Sequence, residues 1–394
     1  MAAPTVDLKV DHFWVRGQHV RHYAGATRDG RDDTSLMLSV KRYTPVYDTQ
    51  SQGKRLRTVT ILGAHGVGFV KELYEPLWAE LVPRLDAQGV RVKGIWIADM
   101  SHFGMSGVRN EDVLGDQPSW MDYPRDLLCI INHFRDEMTA PIVGIGHSTG
   151  ATSLIALALF HPRLLTHLVM IEPIMGEVLL PTKFLAYRTI NNPDSWPSIE
   201  IAKAYFKRTT PWKSWDPRVL DRWMAHGVRA VRKAGSESTE VRLSTCKHQE
   251  AITYLWLRED GQAFQVPGSV EITARFPSLQ SSVLFIFGGS SGLVSPERRA
   301  LALETTGTAS DGSGGQAAGR VEQHLLEGKG HLLPFEDVVD CAELAAKSIS
   351  KFVVPSVRAG NAAGVNGLEK PPAAGDDCDS ETKGEDVIEA SIER

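Results

Sequence analysis

Pro141-Ile142-Val143-Gly144-Ile145-Gly146-His147-Ser148-Thr149-Gly150-Ala151 is the stretch on which the reading of this chain turns. Its first five residues form a short apolar strand, and residues 151–160, rich in Ala and Leu, read as a helix. Between them a serine sits at the centre of a G-x-S-x-G pattern. Strand, tight Gly-flanked turn and helix is the setting in which such a serine becomes a nucleophile. A turn this sharp strains the backbone of its central residue, and glycines without a Cβ let strand and helix approach closely. The same pattern recurs at Gly288-Gly289-Ser290-Ser291-Gly292. That copy follows a good strand, 283–287, but leads into Leu293-Val294-Ser295-Pro296 rather than directly into a helix. Too little chain follows it for the usual order of catalytic partners, so it reads as a strand-end loop.

Outward from the elbow, strands alternate with helices. Strands are predicted at 8–15 and 36–43, joined by the turn-rich 25–33, then at 59–62 and 92–98, with helices at 73–88 and 123–138. After the elbow come strands at 168–171, 283–287 and 321–326, with helices at 296–305 and from 335 to about 353. This alternation predicts a mostly parallel sheet covered by helices on both faces. From 173 to about 268 the rhythm changes to a stretch rich in Trp, Arg and Lys with helical signals. It reads as a helical cap inserted over the strand ends, its tryptophans in the core or on a pocket wall. The expected organisation is a core made of 1–172 and 269–356, a cap at 173–268 and a disordered acidic tail at 357–394.

Composition bounds the possible partners. The 394 residues are 42% hydrophobic and 23% charged, as in an ordinary globular protein. The net charge of −5 gives no footprint for nucleic acid, and from Gly360 onward nine Asp/Glu face three Lys/Arg. No run of 18 apolar residues suggests a membrane span, and the first residues lack the apolar core of a signal peptide. The four cysteines show no metal-like spacing and suit a reducing compartment, with Cys129 and Cys341 expected buried in helices. Neither a cofactor nor a metal is called for.

A serine needs a base to take its proton. His331, in the loop Gly328-Lys329-Gly330-His331-Leu332, lies between the last strand and the last helix, where the chain returns over the sheet edge beside the elbow. A carboxylate must orient the imidazole, in the chain order Ser, acid, His. The loop after 283–287 is the commoner place for it, yet holds no carboxylate before Glu297, which opens the next helix. Glu172 ends the apolar strand before Pro173, where an unpaired charge would be costly. Glu172 is therefore the favoured acid and Glu297 the alternative. For the oxyanion, the backbone N–H of Thr149 and one from His65-Gly66-Val67-Gly68-Phe69, Val67 first and Phe69 second, are the candidates. His65 reads as a loop-fixing hydrogen bonder, His147 as packing beneath the elbow, and Asp99, Ser101 and His102 as loop residues at the pocket mouth.

These residues resemble the α/β hydrolases, and more narrowly their fungal peroxisomal and toxin-biosynthesis group, which includes lipases and acyl-coenzyme-A hydrolases. The resemblance runs from about Val10 to Val353. Its marks are Val10-Asp11-His12-Phe13, the loop Gly63 to Phe69, Trp120-Met121-Asp122-Tyr123-Pro124-Arg125-Asp126, the elbow, Glu172-Pro173 and Gly330-His331. It implies an α/β-hydrolase fold with an eight-stranded sheet and a Ser–acid–His triad with its acid at Glu172. It also implies hydrolysis of lipophilic esters or thioesters, acyl-coenzyme A among them, and dimerisation in some members. A lipase or esterase of lipid metabolism and a non-catalytic binder on the same fold are the competing expectations. That group commonly ends in a Ser-Lys-Leu-type tripeptide; this chain ends Ser391-Ile392-Glu393-Arg394, so a soluble cytoplasmic or peroxisomal protein is expected.

Overall fold

The computed structural model describes residues 6–31, 33–47, 57–232, 238–257, 263–265 and 268–353. The acidic stretch 357–394, expected to be a disordered tail, lies outside the described residues, as does Cys378. In chain order the first part comprises β1 (Asp7–Arg16), β2 (Met37–Val46), β3 (Arg57–Ala64), α1 (Glu75–Ala87) and β4 (Val90–Ala98). It continues with α2 (Gly104–Asn110), α3 (Asp122–His133), β5 (Ile142–His147), α4 (Thr149–Phe160) and β6 (Leu165–Ile171). The intervening stretch holds α5 (Leu179–Asn191), β7 (Ser195–Trp196), α6 (Ile199–Arg208), α7 (Pro217–Arg222), β8 (Val228–Arg232), β9 (Thr239–Leu243), α8 (Lys247–Tyr254), β10 (Leu255–Leu257) and β11 (Ala263–Gln265). The last part is α9 (Ser269–Ala274), β12 (Ser282–Gly288), α10 (Pro296–Thr305), β13 (Val321–Leu326), α11 (Leu333–Glu336) and α12 (Val338–Phe352).

Eight strands form one sheet in the order β1-β2-β4-β3-β5-β6-β12-β13. β2 runs antiparallel to both neighbours, and the six strands from β4 to β13 are parallel. The mostly parallel eight-stranded sheet expected from the sequence is therefore present, with helices on both faces. Alternation along each strand decides which face a residue serves. Val59, Ile61, Val143, Ile145, Val169, Ile171, Leu284 and Ile286 pack with Leu77, Trp78, Leu81, Ala345 and Ile349 from α1 and α12. Leu62, Trp96, Leu168, Met170, Phe285 and Phe287 point the other way, onto Leu127, Ile130, Leu154 and Leu157 from α3 and α4. The residues of α4 from Thr149 to Leu159 are all buried, which explains why its sequence is apolar all round rather than amphipathic.

Two expectations need correction. The stretch 173–268 is not purely helical: β7, β9 and β8 form a small antiparallel sheet and β10 pairs with β11. Of its tryptophans, three take the core place that was one of the two expected. Trp196, Trp215 and Trp223 are buried with Phe206 and Trp212 in an aromatic cluster that reaches the core through Phe335, 5.0 Å from Trp215 between ring centres. Cys341 is buried as expected, but Cys129 on α3 is only half-buried. Among the described residues, no helix is long and apolar enough to cross a membrane.

Candidate active site

Parallel strands bring their carboxyl ends to one edge, and three sequence-distant groups meet there. Ser148 follows β5, Glu172 follows β6, and His331 lies between β13 and α11. Ser148 Oγ is 2.9 Å from His331 Nε2, and His331 Nδ1 is 2.9 Å from Glu172 Oε2. With Nδ1–H donating to the carboxylate, Nε2 is the free lone pair and the serine hydroxyl donates to it. Glu172 is fully buried, whereas His331 keeps 15% of its side chain exposed, enough for a ligand to reach it. Ser148 and Glu172 are the two non-glycine residues with positive φ among the described residues, at 56° and 51°. Such conformations cost on the order of 1–3 kcal/mol and persist where surrounding structure imposes them.

Local packing supplies that imposition at the elbow. A Cβ on Gly150 would lie 2.4 Å from the Ala64 carbonyl oxygen, and one on Gly146 2.6 Å from Ala151 Cα. Strand, elbow and α4 thus touch backbone to backbone, and Ser148 N–H is fixed by Ile171 O at 2.9 Å. At Glu172 the N–H donates to Ile286 O, also at 2.9 Å.

The second G-x-S-x-G, read as a strand-end loop, serves the acid. Gly288 N–H donates to Glu172 Oε1 at 2.7 Å and Ser291 Oγ to Glu172 Oε2 at 2.5 Å. With His331, the buried carboxylate accepts three hydrogen bonds. The only sequence signal for this was the emptiness of that loop, which lacks an acid of its own. Glu297 is exposed on the first turn of α10, where a hydrogen bond from Ser295 holds its carboxyl below the usual range; the structure does not bring it to His331.

His147 also does more than pack. Gly66 N–H donates to Tyr74 OH at 3.1 Å, and Tyr74 OH lies 2.9 Å from His147 Nδ1. His147 Nε2 is 3.0 Å from the His331 carbonyl oxygen. A carbonyl only accepts, so Nε2 carries the proton, and Tyr74 donates to Nδ1. Every proton in this chain from the 65–69 loop to the His331 loop is thereby assigned. Burial, with the adjacent His331 adding to it, holds His147 well below its ordinary pKa, hence neutral. His65 fixes its loop as expected, with Nδ1 at 2.8 Å from Gly66 O and Nε2 accepting from Met100 N at 2.8 Å.

Asp99, expected at the pocket mouth, is instead fully buried against Lys71 Nζ at 2.7 Å. Ser101 Oγ meets Arg21, and His102 lies in a separate polar cleft, bonded to Thr253. The cavity at Ser148 has a volume of about 390 Å³ and is walled by Phe69, Trp120, Ile174, Val178, Leu185 and Leu293. Val67 and Thr149 border it beside Ser148 and His331. Val67 N–H donates to no group among the described residues, and Thr149, first in α4, has no intrahelical acceptor for its own.

Comparison with known proteins fits this geometry. A model described as "Alpha/beta hydrolase family" matches residues 61–346. Over 378 residues, 84% of this chain and 84% of the relative, the sequence is 35% identical to the type I acyl-CoA thioesterase mpaH of Penicillium roqueforti. It is 29% identical over 224 residues to the abhydrolase domain-containing protein AFT2-1 of Alternaria alternata, covering 54% of this chain and 85% of that one. Among solved structures, the peroxisomal alpha-beta-hydrolase Lpx1 of Saccharomyces cerevisiae superposes with a TM-score of 0.71 at 19% identity, over 88% of this chain and 90% of that one.

Proposed function

Because the chain belongs to the alpha/beta hydrolase family, we propose that this hydrolase cleaves a carboxylic thioester or ester of a lipophilic acid through an acyl-enzyme on Ser148. The observation that carries the reading is the unbroken line Ser148 Oγ, His331 Nε2, His331 Nδ1, Glu172 Oε2, with 2.9 Å at both hydrogen bonds. His331 takes the serine proton as Oγ bonds to the acyl carbon. The resulting imidazolium is stabilised by Glu172, and the oxyanion is held by the N–H groups of Val67 and Thr149. The support for those two donors is that both border the cavity beside Ser148 and neither is taken by another group. His331 then gives its proton to the departing thiol or alcohol. Water, deprotonated by the same imidazole, attacks the acyl-serine, and the acid leaves as Oγ regains a proton.

The substrate class follows from the cavity and the relatives. An apolar wall favours a lipophilic acyl group by burial. The thioester alternative is supported by the Penicillium relatives, which are named acyl-CoA thioesterases. In this proposal 173–268 acts as the cap, since Val178, Thr182, Leu185 and Tyr254 from it line the cavity.

The test pairs wild type with Ser148→Ala on p-nitrophenyl esters of graded length and on acyl-coenzyme-A thioesters. Wild type should turn over at least one series and be labelled by a fluorophosphonate. The variant should do neither while keeping the wild-type melting profile. Undiminished hydrolysis by Ser148→Ala would sink the assignment.

A further inference from the structure

One charged side chain interrupts the apolar wall of the cavity. Arg188 stands on α5 one turn beyond Leu185 and two beyond Pro181, and all three line the cavity. It is half-buried, and among the described residues its guanidinium makes no hydrogen bond or ion pair. A guanidinium carries five donors and does not lose its proton, so drawing it from bulk water without an acceptor is unfavourable. The Arg21 guanidinium shows how this fold otherwise treats one. It is buried with Asp126 at 2.8 Å, Asp122 at 3.5 Å and Ser101 at 3.2 Å.

The carboxylate that feels the Arg188 charge is already engaged. Glu250 accepts from Thr189 Oγ1 at 2.9 Å and from Tyr254 OH at 3.3 Å. It also packs on Gly68 of the 65–69 loop, where an added Cβ would sit 2.8 Å from its carboxyl carbon. Burial raises its pKa, opposed first by the hydrogen bonds from Thr189 and Tyr254 and least by the Arg188 charge, and no hydrogen bond or ion pair joins the two side chains.

We infer that Arg188 is the recognition point for an anionic oxygen group on the substrate, either a carboxylate on the acyl portion or a phosphate on the leaving thiol. This deepens the hydrolase reading and rests on it for the identity of the cavity. The planar fork of the guanidinium matches both anions bidentately, and on a half-buried side chain such a charge-assisted pairing is stronger than in bulk water. A neutral lipophilic substrate fills the apolar wall and leaves the fork unanswered. Specificity therefore arises from the anion, while the acyl chain supplies contact area.

The test measures binding to full-length Ser148→Ala, so that it does not depend on turnover. Two matched pairs are compared by calorimetry. The first is p-nitrophenyl hexanoate against the p-nitrophenyl monoester of adipic acid, and the second hexanoyl-pantetheine against hexanoyl-coenzyme A. The charged member of one pair should bind about ten- to a hundredfold more tightly. Adding Arg188→Met should erase that ratio, and Arg188→Lys should keep part of it. Loss in the first pair identifies an acyl carboxylate, and loss in the second a phosphate. A ratio near one in both pairs, or one that survives Arg188→Met, overturns the inference. So does an equal weakening of charged and neutral ligands, which marks a structural role. Turnover of the same compounds by wild type reports on the hydrolase assignment separately.

Discussion

At Ser148 and Glu172 the chain accepts positive φ without glycine, and each strained residue supplies one end of the hydrogen-bonded line through His331. Strain without glycine implies that the side chain is needed where it stands. For Glu172 this gives a sharp expectation. Glu172→Gln should lower kcat by about 10³–10⁴-fold, because an amide can no longer hold the imidazole in its working tautomer or balance its charge. Glu297→Gln should leave kcat near wild type, since that carboxyl is solvated. Steady-state kinetics on the two variants decides it, and a large loss in Glu297→Gln alone would reverse the assignment. Ser148 and His331 were legible from motif and position. Glu172 was reached by noticing which loop lacked an acid. Ser291 was not legible, because its function is to donate a hydrogen bond to a residue 119 positions away, and no local pattern encodes that.

Between elements, the line from Gly66 through Tyr74 and His147 to the His331 carbonyl ties two loops to each other across the end of β5. Tyr74 reaches it because the segment predicted as one helix from 73 begins as a tight 3₁₀ turn, Lys71–Tyr74, before α1 continues with Pro76 in its first turn. Removing the hydroxyl strands a buried imidazole nitrogen and a buried N–H. Tyr74→Phe should therefore cost about 1–3 kcal/mol in urea unfolding and reduce kcat more than it raises KM. A KM effect alone would show that the line does not hold the His331 loop. The long periodic elements were readable: α10 and β13 match their predicted bounds, and the sheet strands differ mainly at their ends. The small sheet of β7, β9 and β8 was missed. Its strands are two to five residues long, and Val228-Arg229-Ala230-Val231-Arg232 puts a charge at every third position, which masks a two-residue period.

For the molecule as a whole, buried imidazoles set the response to acid. Burial pushes His102 and His167 each down to about 3, with no carboxylate beside either to counter it. Below their ordinary value of 6.5 the unfolded chain binds two protons that the fold refuses. Stability is then full above that pH and falls as pH drops toward 3, by about 1.4 kcal/mol per pH unit for each proton, or about 3 kcal/mol for both. Urea midpoints at pH 7, 6 and 5 should fall in that order, and a double His102→Asn, His167→Asn variant should make the fall shallower, leaving the share of the other buried imidazoles, His65 and His147. A level wild-type midpoint across this range would contradict it. The same scale gives the crossed support of Glu172 a wider meaning. β6 and β12 are adjacent parallel strands, about 4.8 Å apart, and both end beside one imidazole. Ser291 already touches the carboxylate from the neighbouring strand. The sheet edge thus offers two berths for a single negative charge.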